Sequence, residues 1–227
     1  MKLFGRRWRV QVGSLDTSAL ACKFKVHRTL ATGRAGHAEL VIYGLSEQHR
    51  HELTSAPRRS TFVELHAGYA DGMSLLFRGD LRKAVQSREG TEWMVTVTAG
   101  DGEHAIRNAR VSRSFAAGTT LATVVQAIAD AMGVGAGNAA TALRGASLGA
   151  VGDTFPEGTL VHGLAAAELT RLCDSARLTW TVQDGVLQLL PLGGALARDA
   201  IRLAADSGLL GAPEVVNRRT VNVKALL

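Results

Sequence analysis

Polar and apolar side chains alternate through most of the first hundred residues. Residues 7–12 (RWRVQV) and 22–26 (CKFKV) put every second side chain on one face, the period of a half-buried strand. Residues 37–43 (HAELVIY) form a third run, ended by Gly44. A short helix follows, with Ser46 able to cap it and residues 48–53 as fair helix formers. Residues 61–67 resume the strand pattern, and Asp71-Gly72 closes a turn signal that starts at Tyr69. Residues 74–83 and 93–99 supply two more strands, with SREG at 87–90 as the turn between them. Six short strands and one small helix predict a closed or nearly closed antiparallel barrel, because closure removes exposed strand edges.

The period then changes. Leu121, Val124, Val125, Ile128, Ala129 and Met132 form one apolar stripe on a helix, with a threonine at its start and Gly133 at its end. Residues 133–152 are rich in Gly and Ala and poor in charge, which predicts a flexible loop or one ordered only by a neighbour. A second amphipathic helix at 164–176 would bury Leu169, Leu172, Cys173 and Ala176. It runs into LTWTVQ (178–183), Asp184-Gly185 and VLQLL (186–190), a hairpin signal with Trp180 as its anchor. Beyond Gly193-Gly194, residues 200–203, 214–216 and 220–227 again read as strands. Two or three strands make no barrel alone, so they complete another domain or subunit, or the natural product continues past Leu227. The expected fold class is mainly β with α+β. Residues 1–104 form an N-terminal antiparallel β-barrel, 105–195 a small α+β domain of two helices and a hairpin, and 196–227 the start of a second β-barrel.

Composition narrows this picture. Of 227 residues, 46% are hydrophobic, enough for one large core or two smaller ones. No run approaches the roughly 18 apolar residues of a membrane helix, and MKLFGRRWR at the start lacks the apolar stretch of a secretory signal. The expectation is a soluble protein made in the cytoplasm. Cys22 and Cys173 lie far apart and read as small buried hydrophobes in a reducing compartment. The charge is lopsided: residues 1–59 carry 11 Lys/Arg against 4 Asp/Glu, the remainder 15 against 16. Nucleic acid, an acidic membrane or an acidic partner would each suit that excess.

Candidate chemistry is thin. His49 and His51 fall in a predicted helix, where alternate residues diverge, and His27, His37 and His66 lie in separate strands. They read as surface or barrel-packing histidines. Asp101-Gly-Glu-His104 gathers acid, base and turn, but fits a strand-to-helix turn in which Asp101 caps residues 103–108. Arg78-Gly-Asp80 lies inside a strand pattern, with Gly79 marking a bulge where the barrel bends, and Ser147 lacks any nearby base. Trp8 and Phe24 in the basic stretch would suit a stacking surface for single-stranded nucleic acid. No phosphate loop, nucleophile elbow or HExxH motif is present. The reading is therefore not an enzyme, with no catalytic, cofactor-binding or metal residues and no cofactor.

An ordered set of segments carries more. RVQVGS at 9–14, LACKFKVHRTL at 20–30, AELVIYGLS at 38–46, VELHAGY at 63–69, LFRGDL at 76–81, GDGE at 100–103, residues 115–133, and LTWTVQDGVLQLLP at 178–191 resemble, in order, phage baseplate hub proteins. This is the late-control D-like tail hub family of contractile tails and related injection systems. The resemblance implies a homotrimer, each subunit giving two barrel-like domains to a ring of six around a channel. That ring joins the sixfold tail tube protein to the threefold central spike protein, with a tape-measure protein and other baseplate proteins as further partners. It implies a place in the virion tail baseplate, assembly in the host cytoplasm, no membrane, and no nucleic acid beyond DNA passing through the channel. In the family a second barrel follows the α+β domain, and residues 196–227 cover only its beginning. Arginine outnumbers lysine 21 to 5, which suits interface ion pairs. The alternatives are the hub of an extracellular injection system, a tail-tip peptidoglycan hydrolase, and a DNA-binding module using the basic N-terminal stretch.

Overall fold

The computed structural model describes residues 5–58, 60–69, 72–143, 153–194, 204, 209–217 and 220–225. Seven antiparallel strands form one sheet: β1 (Arg7–Val12), β2 (Leu15–Asp16), β3 (Cys22–His27), β4 (His37–Tyr43), β5 (Phe62–Tyr69), β6 (Gly72–Glu89) and β7 (Glu92–Gly100). Their order is β2-β1-β5-β6-β7-β4-β3. The alternation predicted from sequence holds strand by strand. Val10, Val12, Leu40, Ile42, Val63, Leu65, Val95 and Val97 all point into one cluster, while their neighbours face solvent or the rim.

One face of seven strands can enclose a single cluster only if the sheet curls. β6 does much of the bending. Its first half pairs with β5 and its second with β7, and the register skips at Leu76 and again at Arg82. An extra residue bends the strand and sharpens its twist. The sequence reading put the bulge at Gly79; the structure puts bulges on either side of it. Gly79 serves close approach instead, since a Cβ there would meet the Gly100 carbonyl oxygen at 2.5 Å and the Phe77 ring at 2.7 Å. The strand also runs on to Glu89, past the predicted end at residue 83, and turns at Gly90.

Among the described residues the barrel is not closed, so of the closed or nearly closed forms expected from sequence the fully closed one is not formed. The hydrogen-bond ladder stops at β2, two residues long, and at the outer edge of β3. The chain leaves β2 early because Thr17 donates from both its backbone N–H and its hydroxyl back to the Val10 carbonyl. Helix α1 (Glu47–Ser55) is capped as predicted, Ser46 Oγ accepting from the His49 N–H at 3.2 Å, and it plugs the cluster with Leu53. Of the predicted Tyr69–Gly72 turn, Ala70 and Asp71 lie outside the described residues.

A second cluster begins at helix α2 (Glu103–Asn108). It gathers β8 (Arg110–Phe115), β9 (Thr119–Thr120), helix α3 (Leu121–Met132), helix α4 (Ala139–Ala142), β10 (Thr154–Phe155), β11 (Thr159–Leu164), helix α5 (Ala165–Ser175), β12 (Leu178–Gln183) and β13 (Val186–Pro191). The predicted stripe of α3 is buried throughout, Thr120 caps its start and Gly133 its end. β12 and β13 form the expected hairpin, with φ of 57° at Asp184 and 76° at Gly185, the left-handed pair of a type I′ turn. Residues 133–143, expected as a flexible loop or one ordered only by a neighbour, are held by their own chain. Gly135 bridges to the strand at Val186, and the Asn138 side chain bonds the Leu189 N–H at 2.8 Å and its carbonyl at 2.7 Å. Residues 144–152 lie outside the described residues, with Ser147 among them. The β8–β11 pairing was not foreseen; RVSRSF carries a single buried residue, Val111, so alternation is faint there.

Finally β14 (Leu209–Asn217) and β15 (Thr220–Ala225) pair as a two-stranded ribbon whose Val215 is 72% exposed. The strand expected at 200–203 lies outside the described residues. No helix among the described residues is long and apolar enough to cross a membrane.

Trp180 is fully buried and its indole N–H donates to Thr170 Oγ1 at 3.0 Å, so it ties the hairpin to α5. Trp180→Ala is expected to cost about 3–5 kcal/mol, measured by urea unfolding followed by far-UV circular dichroism.

Candidate functional site

The most constrained chemistry lies where the two clusters meet. Its centre is Asp101, 2% exposed, at the end of β7. Sequence reasoning assigned Asp101 to capping α2. The structure corrects this: the N-cap is Gly102, and no side chain caps the helix. Asp101 Oδ2 instead accepts from the Asp184 N–H at 2.8 Å and Oδ1 from the Gly185 N–H at 3.2 Å. Both loop amides of the hairpin, which face outward in an isolated two-residue turn, thus find a partner in the other cluster. Gly102 completes the approach, since a Cβ there would stand 2.6 Å from Val182 Cγ1.

The Asp184 carboxylate is gripped in turn. Arg28 Nη2 reaches both its oxygens at 2.9 Å and the Leu76 carbonyl at 2.6 Å, and the Arg78 N–H donates to it at 3.1 Å. The loop between β3 and β4 adds two contacts to the hairpin. Thr32 and Thr179 hydroxyls lie 2.6 Å apart, and the Thr181 hydroxyl donates to the Thr29 carbonyl at 3.2 Å. Beside this, Glu103 sits between Arg82 and Arg107, the latter at 2.7 Å. Burial pushes the Asp101 carboxyl up to about 6 despite the two N–H donors; Asp184 adds to the rise and Arg28 opposes it.

A cleft of about 350 Å³ opens next to this clamp, with Arg78, Asp80, Gly102 and His104 on its walls. The Asp80 carboxyl is raised by burial, an effect opposed by the backbone N–H and the ring of His104. Acid and base therefore meet here, although the GDGEH segment reads from sequence as a strand-to-helix turn and the RGD segment as a bulged strand. The other histidines stay apart. His27 and His37 stack across paired strands with ring centres 5.0 Å apart, and His66 lies 3.9 Å from Glu64. Among the described residues no three His, Cys, Asp or Glu side chains come together as a metal would require. Cys173 is buried, whereas Cys22 is only half-buried, against the expectation of two buried thiols. Burial raises both, Cys22 to about 11 and Cys173 to about 12. Trp8 and Phe24 share a second cleft, of about 380 Å³, at the open side of the sheet.

No family model matches the chain, and no curated protein matches it. Solved structures do. Over 82% of its length the chain is similar to the 43 kDa tail protein of prophage MuSo2 from Shewanella oneidensis, with a TM-score of 0.56 and 14% identity. Over 95% of its length it is similar to the tail protein from Neisseria meningitidis MC58, with a TM-score of 0.53 and 12% identity. The chain has the fold of these tail proteins. It spans 53% of the first tail protein and 61% of the second.

The sign of the Asp101 shift fixes a pH dependence. A carboxyl held up near 6 from an ordinary 3.8 binds its proton more tightly folded than unfolded, so its contribution is full below about pH 4 and is lost as pH rises through 6. Relative to wild type, Asp101→Asn is expected to gain on the order of 2–3 kcal/mol between pH 4 and pH 6, whatever its stability at either end. Denaturation midpoints of both proteins across that range check it; a constant difference would refute it.

Proposed function

We propose that the chain is a non-enzymatic structural subunit of the baseplate hub of a contractile phage tail, a homotrimer joining the sixfold tail tube to the threefold central spike. The observation that carries the reading is the fold likeness to two tail proteins over 82% and 95% of the chain. The ordered sequence resemblance to hub proteins supports the finer assignment. In this reading residues 1–104 are the hub's first barrel-like domain, 105–195 the α+β domain, and 196–227 the start of the second barrel. The two hydrophobic clusters support the first boundary, one ending at Ala99 and the other starting at Ala105.

Surface chemistry agrees with a scaffold. Val215, Val216, Val221 and Val223 of the β14–β15 ribbon are exposed, and contiguous exposed apolar side chains mark surfaces that another element covers. The strongest polar constellation, around Asp101, is spent on holding two parts of one chain together. The acid and base of the adjoining cleft have no serine, threonine, cysteine or lysine among the lining residues to activate.

Light scattering on a size-exclusion column at several concentrations is expected to give three times 23.9 kDa. Deleting the gene is expected to abolish tail assembly. A strict monomer combined with normal tails in the deletion strain would overturn the reading.

A further inference from the structure

The open side of the sheet has two banks. On one, β3 pairs only with β4, and among the described residues its other edge meets no backbone partner. On the other bank, β1 pairs with β5, while its remaining edge is covered by β2 and residues 17–18 only from Val10 onward. Between the banks lies the cleft of about 380 Å³, floored by Trp8, Cys22, Phe24 and Tyr69 and reached by Ala225 at the end of β15.

Side chains on the banks follow a strict period of two. Cys22, Phe24 and Val26 turn inward and are half-buried, whereas Lys23, Lys25 and His27 turn out. On β1, Trp8 has the parity of buried Val10, and Arg7 and Arg9 are exposed. The gap is therefore apolar below, with Arg6 and Arg7 on its wall, and Arg9, Lys23 and Lys25 stand on the outward faces of the strands that flank it. Few local acids answer them. Asp16 lies 3.9 Å from Arg9, Glu39 stands across from Lys25 in the strand register, and Lys23 lies over the Tyr43 ring, 5.2 Å from its centre, with Glu89 and Glu92 acting on it from a distance.

We propose that this gap is a docking groove for an extended segment of a partner protein in which acidic side chains alternate with apolar ones. Such a strand would hydrogen-bond to the free edge of β3, lower its apolar side chains onto Trp8 and Phe24, and raise its carboxylates toward Arg7 and the outward-facing Arg9, Lys23 and Lys25 on either side. Period-two alternation is what the groove demands, because a strand turns successive side chains to opposite faces. A second copy of this chain does not supply it. Its only acidic pair two residues apart is Asp101 and Glu103, and Asp101 is committed to the hairpin clamp. Single-stranded nucleic acid meets the charge but not the edge, since a sugar-phosphate backbone offers no alternating N–H and C=O groups to pair with the free side of β3. The inference does not depend on the hub reading.

The test uses the full chain and a labelled ten-residue peptide alternating Glu with Val, followed by fluorescence anisotropy. A peptide of the same composition with its acids and valines in separate blocks, and a ten-nucleotide oligo(dT), serve as competitors. The alternating peptide is expected to bind at least about tenfold tighter than the block peptide. Lys23→Glu with Lys25→Glu, both exposed, should weaken it by a similar factor, and hydrogen exchange should slow at the β3 amides facing the groove. Equal binding of the block peptide, equal binding by the double variant, or full displacement by oligo(dT) would each overturn the proposal. So would β3 edge amides already protected in the free protein, which would mean that the chain's own residues or a second copy fill the groove.

Discussion

The Asp101 carboxylate accepts hydrogen bonds from both loop amides of the Asp184–Gly185 turn, and the relation between the two hydrophobic clusters follows from that contact. A two-residue hairpin normally leaves those amides in water. Pressed against a second cluster they must find an acceptor, since a buried unpaired N–H costs about 1–3 kcal/mol. One carboxylate with two oxygens satisfies both. Its own burial is the price, visible in a carboxyl raised to about 6. The surrounding residues then make sense as consequences. Gly102 lets the backbone come within reach of Val182, and Arg28 neutralises the second carboxylate, Asp184, that the type I′ turn brings along. Asn in place of Asp184 would keep the turn but lose that grip, so the identity of the turn residue reflects the junction as well as the hairpin.

Local features were legible in the sequence because they are fixed by local physics. The caps of α1 and α3, the stripe of α3 and the hairpin at 184–185 each depend on a few adjacent residues. What was not legible depends on partners far along the chain. Asp101 reads as a cap because Asp before a helix usually is one, and nothing nearby announces a turn 83 residues away. Residues 133–143 read as a loop because Gly and Ala carry no period, yet Asn138 pins them to β13 from 51 residues off. Closure of the barrel was inferred from the general avoidance of strand edges, a rule that says nothing about who covers the edge. The cleft holding Arg78, Asp80 and His104 could be found only by joining two segments that sequence reading had judged separately.

The arginine excess has a partly internal explanation. Arg28 and Arg78 serve the junction, Arg82 and Arg107 flank Glu103, and Arg50 and Arg88 lie over the Trp93 ring, 4.8 and 5.7 Å from its centre. Planar guanidinium groups suit such stacked and bidentate roles better than ammonium groups do. An abundance of arginine is thus weaker support for intersubunit ion pairs than composition alone suggested. Five further cations, Arg6, Arg7, Arg9, Lys23 and Lys25, stand beside the open side of the sheet.

That concentration has a simpler rival explanation, that charged side chains guard a free strand edge against unwanted pairing. The two accounts differ in where the charge should point. A guard is most effective facing inward, where an incoming strand would have to bury it. Here the inward positions of β3 are Cys22, Phe24 and Val26, and that of β1 is Trp8, 37% exposed. Every cation points out, where an opposing strand would meet it with its solvent-facing residues. An edge arranged this way repels basic or neutral strands weakly and favours acidic ones, so it selects a partner rather than refusing all. The unfinished barrel is then a surface with half of a core already in place, and its missing half is specified in both period and charge.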